Sequence, residues 1–382
     1  MTAIRISILL ALACTATLAL ATEKAADNPA STSSSIASPT RSEAPWDLYI
    51  SAVGDIMLDG SSRQVLTETG YDYPYAKVRD YFSGSQIVFG NLEGPLTDRG
   101  TPEQDKKFVF RSPPDKVAAA LKNAGFNVVS LANNHMLDYG ADGLAQTIDT
   151  LDTAGIQHAG AGADLMAARR PAFFEVDGKR IALLAYSVTL PENFYAEDHK
   201  AGTAFAYEDQ VHEDVVAARK QADIVLVSFH WGQEGKTELR DYQIRLGHAA
   251  IDSGASAVIG HHPHILQGVE HYRNGVILYS LGNFTFGSYS MKSPYSVIAQ
   301  LHFHNGQLQE LKFVPINVNN FEVQFQPQPL QGEKADTVIG NLHMLSSSLN
   351  TDIHNDHGVG ILSMIEEPQQ AAALNPAIIP SK

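Results

Sequence analysis

Three histidines fall within four residues at His261, His262 and His264, and Pro263 restrains the backbone between the last two. Imidazole nitrogens at that density after an apolar run are suited to a divalent metal. Other stretches offer partners. Asp55 follows Val53-Gly54, Glu93 closes Asn91-Leu92-Glu93, Asn133, Asn134 and His135 follow Leu131-Ala132, and His230 ends an apolar run. The set combines carboxylates (Asp55, Glu93), imidazoles (His230, His262, His264) and an amide carbonyl (Asn134). Such a mixture suits zinc, manganese or iron, as one or two ions, better than calcium or magnesium. Two ions against two carboxylates leave net positive charge. That charge would clamp an anionic group and lower the pKa of a bound water towards about 7.

Each piece also has an ordinary structural use. Asp55 could cap a turn or helix, and Glu93 could be a solvated loop carboxylate. Residues 133–135 could be turn residues tolerating positive φ, and His230 a satisfied near-core histidine. His302 and His304 share one strand face but follow no strand-end motif, so they read as surface residues. His158, His199, His212, His248, His271, His343, His354 and His357 read the same way.

The elements that must position the set alternate. Segments 48–53, 86–89, 127–131, 224–229 and 257–259 read as strands, and each runs out just before the candidate residues. Helical spacing covers 114–123, 142–153, 208–221 and 239–253, with Gly155 as a stop. Segments 173–176 and 180–186 flank a hairpin turn at Asp177-Gly178. Further strands at 267–271, 276–281 and 297–303 come with turns at Asn274-Gly275 and Asn305-Gly306. No internal repeat is visible. The pattern is α/β, turning strand-rich late. In open α/β sheets ligands gather beyond the carboxyl ends of strands, so these ends are expected to share one side.

The chain has 382 residues, 44% of them hydrophobic and 18% charged, enough apolar material for a full core. Its net charge of -15 argues against nucleic acid, which needs basic patches, and against docking on an anionic membrane surface. An anionic ligand therefore needs a local positive centre. The single cysteine, Cys14, excludes a disulfide framework and a thiolate metal site. Residues 1–21, with Arg5, an apolar run and Ala19-Leu20-Ala21, read as a signal peptide. An uncleaved anchor and lipoprotein processing at Cys14 are the alternatives. Residues 22–45 read as a flexible linker, 46–365 as one domain and 366–382 as a disordered tail. The expected location is exported: periplasmic or extracellular, with or without an N-terminal membrane anchor.

Several stretches carry a resemblance. They are Ala52-Val-Gly-Asp-Ile-Met57, Gly90-Asn-Leu-Glu-Gly-Pro95, Phe108-Val-Phe-Arg-Ser-Pro-Pro114 and Ser130-Leu-Ala-Asn-Asn-His135. His230-Trp-Gly232 with Glu234, Val258-Ile-Gly-His-His-Pro-His-Ile-Leu-Gln267 and Tyr279-Ser-Leu-Gly-Asn-Phe284 follow. They run in order from about Trp46 to Gly287 and strongly resemble the CapA family, linked to poly-γ-glutamate capsule synthesis. That family in turn resembles the calcineurin-like metallophosphoesterases. The resemblance implies a four-layer αββα sandwich with the site on one edge of the paired sheets.

By the same resemblance Asp55 matches the first residue of an Asp-x-His motif, and Met57 stands where that motif has histidine. Glu93 falls where a bridging aspartate is usual. Asn134 and His135 match an Asn-His pair, with Asn134 a ligand and His135 the acid or electrostatic stabiliser. His230, His262 and His264 match the remaining imidazole ligands. One metal would take Glu93, Asn134, His230 and His262. The other would keep Asp55, Glu93 and His264, with Glu234 as either a replacement ligand or a general base. Arg111 and Lys107, with Asn91 and Asn283, are candidates for holding a substrate anion, Arg111 having the better fork geometry. Both cations read equally well as ordinary surface charges.

The implied role is in synthesis or export of a capsule polymer such as poly-γ-glutamate, alongside membrane capsule-synthesis proteins. Whether the protein is an enzyme stays open. It could be a metal-dependent phosphoesterase or γ-glutamyl hydrolase, or a non-catalytic polyglutamate-binding scaffold.

Overall fold

Every residue of the strand Ile224–His230 is buried. A run that is apolar on both faces needs cover on both faces, and a layered α/β fold supplies it. The computed structural model describes residues 44–365 and shows how that cover is arranged. The expectations for 1–21, 22–43 and 366–382 lie outside the described residues.

Two large sheets face each other. Among the described residues the first has ten strands. Its main path runs His354–Asp356, Val359–Ser363, Gln307–Asn317, Tyr295–His304, Asp47–Met57, Ile87–Leu92, Val128–Ser130, Gln157–Ala159. The second has six: Val269–Tyr272, Gly275–Leu278, Ala257–His261, Ile224–His230, Lys179–Ser187, Ala172–Val176. Leu48, Ile50, Ala52, Ile87 and Phe89 of the first sheet meet Ile181, Leu183, Leu226 and Ile259 of the second in one continuous core.

The outer faces are covered by helices. Pro114–Ala124 and Gly140–Ala154 lay Val117, Leu121, Leu144 and Leu151 against Val53, Val88 and Val129 of the first sheet. Glu208–Arg219 and Asp241–Asp252 lay Val211, Val215, Leu246 and Ala250 against Leu184, Val225, Val227 and Val258 of the second. The architecture is the expected four-layer αββα sandwich. Local signals agree with it. Pro114 opens its helix at a position that needs no N–H, and Gly155 ends another in the left-handed region at φ 65.

Two hairpin turns fall where the sequence places them. Asp177-Gly178 and Asn305-Gly306 each join paired strands with both φ values positive. The third is corrected. Tyr272 pairs with Gly275, so the loop is Arg273-Asn274, one residue before the expected Asn274-Gly275, and Arg273 takes the positive φ of 53. Burial of Val276 and Leu278 sets the strand register there and overrides the local preference.

Two elements add to the sequence reading. Gln307–Asn317 extends the first sheet, and the helix Gly332–Ser347 places Val338, Ile339 and Leu342 in the core between the sheets. No helix among the described residues is long and apolar enough to cross a membrane.

Candidate metal centre

The strand Asp47–Met57 runs parallel to Ile87–Leu92, which runs parallel to Val128–Ser130. In the other sheet Lys179–Ser187, Ile224–His230 and Ala257–His261 are also parallel. The carboxyl ends of both sets meet at one edge. Asp55, Asn91, Glu93, Asn133, His230, His261 and His262 are all buried there. Contacts cross between the sheets: His230 Nε2 lies 2.9 Å from Asn134 Oδ1, and His264 Nδ1 lies 3.1 Å from Asp55 Oδ2.

Backbone detail permits this approach. Asp55 N–H donates to the Gly282 carbonyl at 3.0 Å. A Cβ on Gly54 would stand 1.8 Å from that oxygen, so only glycine fits. His262 and His264 both adopt positive φ, 94 and 60. For non-glycine residues that conformation costs on the order of 1–3 kcal/mol each, and such strain concentrates at functional sites. Trp231 anchors the neighbouring strand end. It is fully buried, stacked 4.6 Å from Phe229, and its indole N–H donates to the Tyr279 carbonyl at 2.8 Å.

Three overlapping groups of donors have ligand atoms within 4.8 Å of one another: Glu93, His230 and His262; Asp55, Glu93 and His264; and Glu234, His262 and His264. Glu93 belongs to the first two, the position of a bridging carboxylate. Its Oε1 is buried without a hydrogen-bond partner. The ring nitrogens of His264 and His230 face it at 3.7 and 4.0 Å, too far to hydrogen-bond, and a buried carboxylate oxygen without a hydrogen bond is costly unless a cation meets it. The donor set therefore fits the divalent ion that the sequence implies. Asn91 stands within the cluster as an orienting group. Its amide reaches Asp55 Oδ1 at 2.9 Å and His230 Nδ1 at 3.3 Å, and Asn133 holds its carbonyl at 3.1 Å. Asn283 Oδ1 faces His264 Nδ1 at 3.0 Å.

Electrostatics divide the cluster. Burial, with His262 beside it, holds His230 well below the usual histidine range. Burial, with His264 beside it, lowers His262 to about 3. Both rings are thus neutral and keep a lone pair for a ligand. Burial alone would lower His264, but Glu93 and Asp55 outweigh it and raise the ring to about 9. Burial raises Asp55 too, yet contacts from His261 and His264 hold it well below the usual carboxylate range. Burial and the Asp55 charge push Glu93 well above its ordinary value.

His135 lies beside this cup. Its Nδ1 is 2.7 Å from Asp138 Oδ2, which also accepts the Phe110 N–H at 2.8 Å. Lys106 Nζ contacts Asp138 Oδ1 and the Asn134 carbonyl, each at 2.5 Å. Nδ1 thus faces both the Asp138 carboxylate and, at 3.2 Å, Lys106 Nζ, and Nε2 is the nitrogen outside these contacts. Burial lowers the ring's pKa while Asp138 opposes it.

Lys106 and Asp138 are the functional candidates that the sequence reading lacks. Asp138 is three residues from His135, a spacing that carries the signal; Lys106 is placed only by the tertiary fold. Lys107 and Arg111 are exposed. Lys107 Nζ lies 5.0 Å over the Phe108 ring, and the Arg111 guanidinium lies 4.7 Å over Tyr139. Glu234 is exposed on its loop. His302 and His304, away from this edge, pair with Asp47 at 2.7 and 3.0 Å.

An αββα sandwich with carboxylate, amide and imidazole donors gathered at one strand edge defines a class of fold whose donor set suits a divalent cation. Residues 49–288 match the family of the bacterial capsule synthesis protein PGA_cap, and the chain belongs to that family. It is 33% identical over 277 residues to the capsule biosynthesis protein CapA of Bacillus anthracis, covering 71% of this chain and 67% of that one. It is 32% identical over 298 residues to the PGA biosynthesis protein CapA of Bacillus subtilis (strain 168), covering 77% of each. Among solved structures, the NAD nucleotidase of Haemophilus influenzae superposes with a TM-score of 0.46 at 12% identity, covering 78% of this chain and 56% of that one.

Proposed function

We propose that this protein is an exported component of capsular poly-γ-glutamate synthesis or export, with a divalent-metal pocket for an anionic group of the polymer or of a phosphorylated intermediate. Family membership supports the capsule role, and the names of its CapA relatives support polyglutamate as the polymer. The observation that carries the metal pocket is Glu93, common to two donor groups and buried with one oxygen lacking a hydrogen-bond partner.

Asp55, Glu93, Asn134, His230, His262 and His264 would hold zinc, manganese or iron, as one or two ions. Bound there, a divalent ion supplies Lewis acidity and a counter-charge for a phosphate or carboxylate. The chain's own groups then have distinct tasks. Asn91 and Asn133 orient the ligands. Asp138 and Lys106 fix the His135 ring so that it stabilises charge or gives a proton to a leaving group. Arg111 and Lys107, with Asn283 at the His264 side, are the candidates for holding the rest of an anionic chain, next to membrane proteins of the capsule machinery.

The His135–Asp138 contact favours a second, narrower reading within the same role: a metal-dependent hydrolase of phosphoesters or γ-glutamyl bonds. A polyglutamate scaffold without turnover is the competing outcome. One experiment separates them. Purified protein is analysed for metal and assayed against phosphoester and γ-glutamyl substrates, beside His262→Ala and His135→Ala. We expect wild type to carry metal and His262→Ala to lose most of it. Hydrolase activity would need metal and fall steeply in His135→Ala. Unchanged metal in His262→Ala rejects the pocket. Metal-loaded protein that binds polyglutamate and turns over nothing makes it a scaffold.

A further inference from the structure

Two adjoining troughs of about 550 and 400 Å³ share the Phe205 and Tyr207 rings as walls. The first adds Tyr195 and three acids, Glu192, Glu197 and Asp198. The second adds Val188, Tyr242 and Leu246. Their phenol groups are engaged by backbone: Tyr195 Oη donates to the Thr189 carbonyl at 2.6 Å, and Tyr242 Oη to the Gly232 carbonyl at 3.2 Å. Phe205 packs 4.6 Å from Tyr195 and 4.5 Å from Tyr207. The rings therefore present apolar and π surface to the troughs. Large apolar groups stand in water at the same place, Tyr207 at 56% and Leu190, which follows Thr189, at 70% exposure.

The charge here is one-sided. Lys200 meets Glu197 at 2.7 Å and Arg245 meets Glu208 at 2.9 Å. Glu192 and Asp198 have no cationic partner among the described residues. The helix Glu208–Arg219 begins at the second trough, and Glu208 and Asp209 in its first turn offset its positive end. We propose that the two troughs are a docking site for a basic segment of a partner polypeptide, with lysine or arginine alternating with apolar side chains.

Three arguments favour that occupant. Ring faces flanked by unmatched carboxylates attract ammonium and guanidinium groups. Val188 and Leu246 offer apolar wall, which apolar side chains cover and a bare polyamine leaves wet. A polyglutamate chain would meet Glu192 and Asp198 with like charge, so the polymer is excluded from this path. The site adjoins the metal cup and uses none of its donors. Val188 N–H donates to the His230 carbonyl at 3.0 Å, and Gly232 N–H donates to Tyr242 Oη at 2.9 Å. A segment seated in the troughs would hold its parent protein beside the edge where the donors gather.

The full chain is titrated with a fluorescent peptide that alternates lysine and leucine, read by anisotropy. We expect saturable binding that weakens as salt is raised. The double change Glu192→Gln with Asp198→Asn should weaken it by about tenfold, and Tyr207→Ala by about threefold or more. Circular dichroism and metal content of these variants should match wild type, which keeps failure of this site distinct from failure of the metal pocket. The proposal is overturned if the peptide does not bind, if both variants bind it as wild type does, or if a peptide with glutamate in place of lysine binds equally. Three other outcomes overturn it by naming a different occupant, each if abolished in Tyr207→Ala: spermine bound as tightly as the peptide, poly-γ-glutamate bound directly, or a dimer of the chain in sedimentation.

Discussion

His135 and Asp138 show how little side-chain freedom the site allows. The 2.7 Å contact and the Phe110 N–H on the same oxygen fix Asp138 against the His135 imidazole, the arrangement that holds such a ring in one tautomer. Lys106 neutralises the carboxylate from the other side. Replacing Asp138 by Asn keeps the volume and loses the charge. If the assay panel yields a substrate, Asp138→Asn should lower its metal-dependent turnover by about a hundredfold or more, with metal content unchanged. Metal loss in parallel with activity would make Asp138 a scaffold residue instead.

At the scale of elements, the junction between the strand Asp47–Met57 and the turn at Gly282 decides where Asp55 points. No side chain fits at Gly54, because a Cβ there would overlap the Gly282 carbonyl. Gly54→Ala should therefore lower stability by about 1–3 kcal/mol, measured by urea unfolding. It should also reduce metal content, since Asp55 moves with the backbone. A variant as stable and as metal-rich as wild type would show that the junction has slack that the geometry denies. The Arg273-Asn274 turn illustrates the opposite balance: the buried strand register prevails over the local preference for Asn274-Gly275.

For the whole molecule, opposed histidines set a pH optimum for the metal-free state. His262 falls from 6.5 to about 3 and His230 shifts the same way, so their contribution is present above about pH 6.5 and is lost as pH falls. His264 rises from 6.5 to about 9, so its contribution is present below about pH 6.5 and is lost as pH rises. Glu93, also raised above its ordinary 4.5, loses its contribution in the same direction as His264. Thermal unfolding of chelator-treated protein, scanned from about pH 4 to about pH 9, should give its highest midpoint between about pH 4.5 and about pH 6.5 and fall towards pH 9. Added metal should lift the alkaline side most, because a deprotonated His264 is the form that binds it. A metal-free midpoint that climbs steadily to pH 9 would contradict this assignment.

Much of this was legible in the chain. Apolar runs ending in Asp55, Glu93, His230 and His262 carried both the strands and the donors, because a strand covered on both faces must be apolar along its length and can turn polar only where it emerges. The α/β class followed from the alternating elements, and the αββα layering was what the CapA-like motifs implied by resemblance. The helix Gly332–Ser347 had its signal in Ala335, Val338, Ile339 and Leu342, a helical spacing near the chain's end. What sequence alone left undecided is contact across the two sheets. Lys106 meets Asp138 over thirty-two residues of sequence separation, and His262 N–H reaches Asp55 over 207. Pairings at such distance are set by how two sheets stack, a property of the packed core rather than of any local pattern. For that reason only tertiary structure brought Lys106 to Asp138 and His135, and left Glu93 Oε1 buried without a hydrogen-bond partner.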